Sequence, residues 1–193
     1  TLLSLCIYDS APTLFLIMYV LSFVLDALDG HMARKLNQCS RLGAVLDMVT
    51  DRFSTAALCT ILVVLSGNQN KTLQLFFVFL NILDFVSHWL RMYVSLVVGS
   101  NSHKNLSDDS PALLKLYYGN RMFMGVLCVG NELFYVFLYA LWSGLAIVPY
   151  WFLYAVVAPL WFMKQVMNVI QLYQSGLDLV RWEYENEVHH KLN

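Results

Sequence analysis

Long apolar runs separated by short polar breaks set the outline of this chain. Thr1 to Tyr8 is apolar but falls short of the roughly 20 residues a bilayer crossing needs, and reads as the end of a first helix begun upstream. Asp9-Ser10-Ala11-Pro12 is a turn, with Ser10 placed to cap a helix and Pro12 tolerated in its first turn. Apolar stretches long enough to span then occupy about 13–36, 41–65, 72–98, 113–142 and 149–173. Between them lie Asn37-Gln-Cys-Ser40, the Ser66 to Asn70 break, a long polar segment from Gly99 to Asp109, and Ser143-Gly144. The tail over 175–193 is mixed in charge and reads as surface-lying or without fixed structure. The pattern predicts an all-α polytopic membrane protein, a single domain over 1–193, with six transmembrane helices once the first is complete.

Composition agrees with that outline. The 193 residues are 59% hydrophobic and 13% charged, against the roughly 25% charged share of a soluble domain. The net charge of −1 comes without a basic stripe, so nucleic acid is not an expected partner. The cysteines Cys6, Cys39, Cys59 and Cys128 are scattered and read as small buried hydrophobes. Lysine and arginine set the orientation: with the 37–40 break in the cytosol, Arg34, Lys35, Arg41, Lys104, Lys115, Arg121, Arg181 and Lys191 share that side, and Lys71 lies opposite.

Against this apolar background the carboxylates stand out. Asp26 and Asp29 are three residues apart on one predicted helix, and Asp47 and Asp51 four apart on the next, so each pair projects from one helix face. A carboxylate in apolar sequence must be neutralised, and the nearby bases Arg34, Lys35, Arg41 and Arg52 largely point to the interface. Two helices each presenting two carboxylates form a cage for hard divalent cations, Mg2+ or Mn2+. Gly30 and Ala33 share the side of the first pair, where small side chains let a ligand approach the backbone. Arg34, at the helix end, either holds a phosphate or reaches to lipid headgroups.

Other polar residues recur at helical spacing. Asp84, Ser87, His88 and Arg91 fall at i, i+3, i+4 and i+7, a polar face that either pairs internally or lines a pocket. Lys164, Asn168 and Gln171 share a face of the last helix, and a Glu132–Lys164 ion pair is the expected structural role of Glu132. Lys104 sits in the long polar loop, and Arg121 lies near Tyr117 and Tyr118.

Written out, the acidic stretch is D-x2-D-G-x2-A-R-x8-G-x3-D-x3-D, filled by Asp26, Asp29, Gly30, Ala33, Arg34, Gly43, Asp47 and Asp51. It resembles the signature of the CDP-alcohol phosphotransferase family, matched without a gap. Ser87-His88-Trp89, Ser102-His103-Lys104 and Asn131-Glu132-Leu-Phe-Tyr135 are similar to the eukaryotic branch of that family that uses inositol as acceptor. The resemblance implies transfer of a phosphatidyl group from CDP-diacylglycerol to myo-inositol with release of CMP, at the cytosolic face of the endoplasmic reticulum, by a homodimer among membrane lipids. It implies two divalent cations, with Asp26 and Asp47 bridging them, Asp29 completing one site, and Asp51 touching the other and acting as general base. Gly30, Ala33, Arg34 and Gly43 would line the CDP side, and Asp84, His88, Arg91, Lys104, Arg121 and Glu132 are candidates for an inositol or phosphate pocket. The rival readings are a family member with another acceptor, such as glycerol 3-phosphate or serine, and a metal-cation transporter.

Overall fold

The computed structural model describes residues 4–67, 70–98, 110–145 and 149–192, with backbone alone for 4 and 187–192. A short 3-10 turn at Ser4–Ile7 precedes α1 (Pro12–Lys35), α2 (Arg41–Leu65) and α3 (Lys71–Val97). The chain continues through α4 (Ala112–Gly119) and α5 (Arg121–Trp142). It ends in α6 (Tyr150–Phe152), a π-helical turn (Leu153–Val157) and α7 (Ala158–Leu192). Among the described residues, five helical segments are long and apolar enough to cross a membrane: α1, α2, α3, α5 and the continuous run Tyr150–Asn186. The protein is an all-α polytopic membrane protein.

Two boundaries differ from the sequence reading. The fifth apolar run is broken at Asn120, which takes an extended backbone at φ −109° and ψ 101°. Its side-chain oxygen accepts from the amides of Met122 and Phe123 at 3.0 and 3.1 Å, so the residue that ends α4 also caps α5. The last helix does not stop near residue 173 but stays helical to Leu192. Its exposed end, Arg181 and Glu183 to Asn186, is polar and helical together, as a solvated helix end can be.

The chain divides into two compact units, Thr1–Asn81 with Glu132–Ala158, and Ile82–Asn131 with Pro159–Asn193. In the first, aromatic side chains dominate the packing. Phe15 lies 4.6 Å from the Tyr139 ring, Phe77 meets Trp142 edge-on at 5.8 Å, and the Tyr139 hydroxyl donates to the Tyr8 carbonyl. In the second, Leu114, Tyr117, Leu127 and Met167 form a buried cluster. Gly130 of α5 lies so close to α7 that a Cβ there would stand 2.6 Å from Leu160 Cβ.

The distribution of polarity is the reverse of a soluble protein's. Large apolar side chains such as Ile17, Phe79, Ile82 and Phe162 face outward, while Asp84, Arg91, Lys164, Asn168, Gln171 and Gln174 are buried. Where lipid is the solvent, burying a Leu gains little, and inter-helix polar contacts and close packing do the work instead.

Candidate functional site

The site begins with the way α1 ends and α2 starts. Asn37 takes φ 54°, a left-handed conformation that Asn tolerates better than most residues. The Gln38 amide donates to the Ala33 carbonyl at 2.9 Å and the Asn37 amide to Arg34 at 3.3 Å. That pair of bonds is a Schellman stop, satisfying carbonyls that a helix end leaves open. Ser40 then caps α2 from an extended backbone, its hydroxyl accepting from the Gly43 amide at 2.9 Å. A Cβ on Gly43 would stand 3.1 Å from that same hydroxyl oxygen, which gives this glycine a local reason for being small.

This tight connection folds α2 back beside α1. One carboxylate oxygen from each of Asp26, Asp29 and Asp47 lies within 4.8 Å of the other two. Asp26 is half-buried; Asp29 and Asp47 are exposed. Three converging hard-oxygen donors suit Mg2+ or Mn2+, which prefer carboxylates. Asp51, the fourth acid of the motif, is one α-helical turn further along α2, and its carboxylate pairs with the guanidinium of buried Arg52. It lines a cavity of about 220 Å³ together with Asp26 and Asp29. Tyr19, Ser22 and Phe23 of α1, Thr50 and Ser54 of α2, and Glu132 of α5 complete its walls.

Arg34 and Gly30 form a second feature of the site. The guanidinium folds back along α1, so that a Cβ on Gly30 would lie 3.4 Å from Arg34 Nη1 and 3.8 Å from Asp47 Oδ1. The bare backbone of Gly30 is thus flanked by a cation and by one of the clustered carboxylates. Ala33 is half-buried on the same helix.

The remaining candidates fall into separate places. Glu132, expected to pair with Lys164, instead accepts hydrogen bonds from the hydroxyls of Tyr19 at 2.7 Å and Thr55 at 2.6 Å. Lys164 is satisfied elsewhere: it donates to Asn168 Oδ1 at 2.6 Å and stands 3.9 Å from Asp84 Oδ1 and 3.4 Å from His88 Nε2. A buried carboxylate needs hydrogen-bond donors, and hydroxyls are donors as an ammonium is. Asp84 also accepts from Asn168 Nδ2 at 3.0 Å, and His88 Nδ1 sits 2.8 Å from the Asp84 carbonyl. Arg91 pairs with Asp178 at 3.0 Å and stacks over Tyr118, 5.8 Å from its ring centre. Asn131 accepts from Gln165 at 2.8 Å. Arg121, the first residue of α5, is exposed, and Lys104 lies outside the described residues. Tyr19, Thr55 and Asp178 were not singled out from the sequence; a hydroxyl in an apolar helix carries no signal until its partner is known.

Comparison with known proteins gives the chemistry its setting. The family described as CDP-alcohol phosphatidyltransferase matches residues 1–158. A probable CDP-diacylglycerol–inositol 3-phosphatidyltransferase 2 from Arabidopsis thaliana is 42% identical over 191 residues, covering 92% of this chain and 83% of its own. The CDP-diacylglycerol–inositol 3-phosphatidyltransferase of Saccharomyces cerevisiae is 43% identical, covering 95% and 82%, and that of Homo sapiens 40%, covering 83% and 76%. No solved structure matches. A carboxylate cluster on a membrane hairpin, the full spacing of the motif and matches over most of the chain converge: the protein belongs to the CDP-alcohol phosphatidyltransferase family, whose members are CDP-diacylglycerol-dependent transferases in this branch.

Proposed function

We propose that the protein is a phosphatidylinositol synthase, moving the phosphatidyl group of CDP-diacylglycerol to a hydroxyl of myo-inositol and releasing CMP. The acceptor rests on one observation: relatives 40–43% identical over most of both chains carry that activity in their names. The chemistry rests on the convergence of Asp26, Asp29 and Asp47 beside Gly30. Two divalent cations, Mg2+ or Mn2+, held by Asp26, Asp29, Asp47 and Asp51, supply charge neutralisation to the pyrophosphate and to the departing CMP phosphate.

The protein's own groups do the rest. Gly30, flanked by Arg34 and Asp47, admits the CDP phosphates against bare backbone, with Arg34 donating to a phosphate oxygen. Ala33 and Gly43 keep that side of the hairpin open. Asp51, outside the three-carboxylate group but on the wall of the cavity, takes the proton from the attacking hydroxyl. The hydroxyl oxygen bonds to the phosphorus next to the diacylglycerol, and the bond from that phosphorus to CMP breaks. Inositol is gripped beyond the motif, with Asp84, His88, Arg91, Lys104 and Arg121 as the candidates; Glu132, a candidate by sequence, has its carboxylate oxygens taken by Tyr19 and Thr55. The site lies at the cytosolic end of its helices, where a soluble polyol meets a lipid headgroup, in a homodimer of the endoplasmic reticulum.

The test is purified protein in lipid with CDP-diacylglycerol, Mn2+ or Mg2+, and a panel of myo-inositol, serine and glycerol 3-phosphate. CMP release is expected with inositol alone; release with another acceptor and none with inositol would overturn the assignment. Asp51→Asn should abolish turnover yet keep nucleotide binding, whereas Asp47→Asn should weaken both. Equal loss of binding in the two variants would make Asp51 chiefly a ligand.

A further inference from the structure

Glu132 is buried within the membrane-spanning part of α5, and each of its carboxylate oxygens is taken by one hydroxyl, from Tyr19 of α1 and from Thr55 of α2. Both hydroxyls belong to the helix faces that carry the aspartates. Tyr19 is seven residues before Asp26, two turns along the same stripe, and Thr55 is four after Asp51, one turn along. Thr55 Oγ1 also lies 3.2 Å from the Asp51 carbonyl, but its single proton goes to the nearer acceptor, Glu132, at 2.6 Å. Glu132 therefore ties α1 to α2 on the inner side of the carboxylates, while the Asn37–Ser40 connection ties them on the other. Asp26, Asp29, Asp47 and Asp51 all lie between these two ties.

We infer that Glu132 is a positioning residue that holds the two carboxylate pairs at metal-binding separation. This rests on the reading of those aspartates as cation ligands. With the inner tie cut, α1 and α2 are left hinged at their connection. By helical rise Tyr19 is about 27 Å from Asn37 and Asp26 about 16 Å, so a 1 Å opening at Tyr19 moves Asp26 by about 0.6 Å. Metal–oxygen distances tolerate only about 0.2 Å. The loss is thus expected in cation affinity first, with the fold of the hairpin retained.

The experiment uses the full chain in lipid nanodiscs and three readouts: Mn2+ binding by electron paramagnetic resonance without substrate, the thermal unfolding midpoint, and CMP release across a Mn2+ series. Glu132→Ala, and the milder Glu132→Gln, are expected to weaken Mn2+ binding by about 10–100-fold, as loss of a group that orients ligands does. The midpoint falls, because two buried hydroxyls lose their acceptor, but the variant remains folded at the assay temperature, turnover partly recovers at raised Mn2+, and KM for the acceptor is unchanged. Tyr19→Phe with Thr55→Val should reproduce Glu132→Ala, and adding that change to the pair should cost nothing further. Should Glu132→Ala fail to fold, the single hydroxyl deletions carry the same test. Wild-type Mn2+ affinity in the variants, with a raised acceptor KM, would overturn the inference and make Glu132 an acceptor contact. Wild-type protein that binds no Mn2+, or binds it equally after Asp26→Asn, would instead overturn the reading of the aspartates.

Discussion

Adding one methyl group at Gly30 separates what the protein needs from what its ligand needs. In Gly30→Ala the new Cβ would lie 3.4 Å from Arg34 Nη1, 3.8 Å from Arg34 Nη2 and 3.8 Å from Asp47 Oδ1. These are ordinary contact distances, and the closest neighbour is the far end of a flexible side chain, so the protein itself has no steric reason to resist. Alanine in a helix is favoured over glycine by up to about 1 kcal/mol, so the thermal midpoint should hold or rise. The methyl does, however, occupy the space between guanidinium and carboxylate that we assign to the CDP phosphates. A ligand displaced there by about 1 Å loses on the order of 100-fold in rate, close to 2.7 kcal/mol. The assay is CMP release at varied CDP-diacylglycerol, beside a melting curve of the same preparation. A kcat/KM within about threefold of wild type would refute close approach at Gly30. A midpoint lowered by several degrees would refute it differently, by showing that the glycine serves the fold.

Other outcomes follow from the same structure. Gly130→Ala puts a Cβ 2.6 Å from Leu160 Cβ, which cannot rotate away, so α5 and α7 must separate at a cost of about 1–3 kcal/mol; melting should show it, with Gly125→Ala, which meets nothing within 4 Å, as the neutral control. Lys164→Met takes a cation from beside buried Asp84 and should cost about 3–5 kcal/mol by denaturation in detergent, with Asp84→Asn restoring part of it. Treatment with EDTA should abolish CMP release and lower the midpoint by the linkage of bound cation, about 2.7 kcal/mol where it had stood at 100 times its Kd; Mn2+ or Mg2+ should restore both.

The spans were legible because lipid demands long unbroken apolar helices, and those over 41–65 and near 12–35 and 71–97 stand within about a residue of where hydropathy put them. The aspartates were legible because they are costly in such sequence, and their spacing alone put each pair on one face. The break at Asn120 was missed because apolar residues continue on both sides of it, and only the capping bonds of its side chain reveal the turn. The helical continuation to Leu192 was missed because a solvated helix and an unstructured tail share a composition. Glu132 was given a partner by charge, when the structure satisfies it with two hydroxyls. Which donors meet a buried acid depends on how distant segments pack, and periodicity within one helix does not encode that.

The short connection from Asn37 to Ser40 also bears on the order in which the protein is built. Three of the motif's four acids stand on neighbouring helices, so the segments that carry them are both made as soon as α2 leaves the ribosome. Glu132 follows Thr55 by 77 residues and Tyr19 by 113, and reaches the membrane only with α5. During synthesis the acidic hairpin therefore dwells in the bilayer with its connection made and its inner tie still missing. A cation bound in that interval would relieve the crowded carboxylates before the protein is complete, and the metal of the proposed reaction would then take part in biogenesis too.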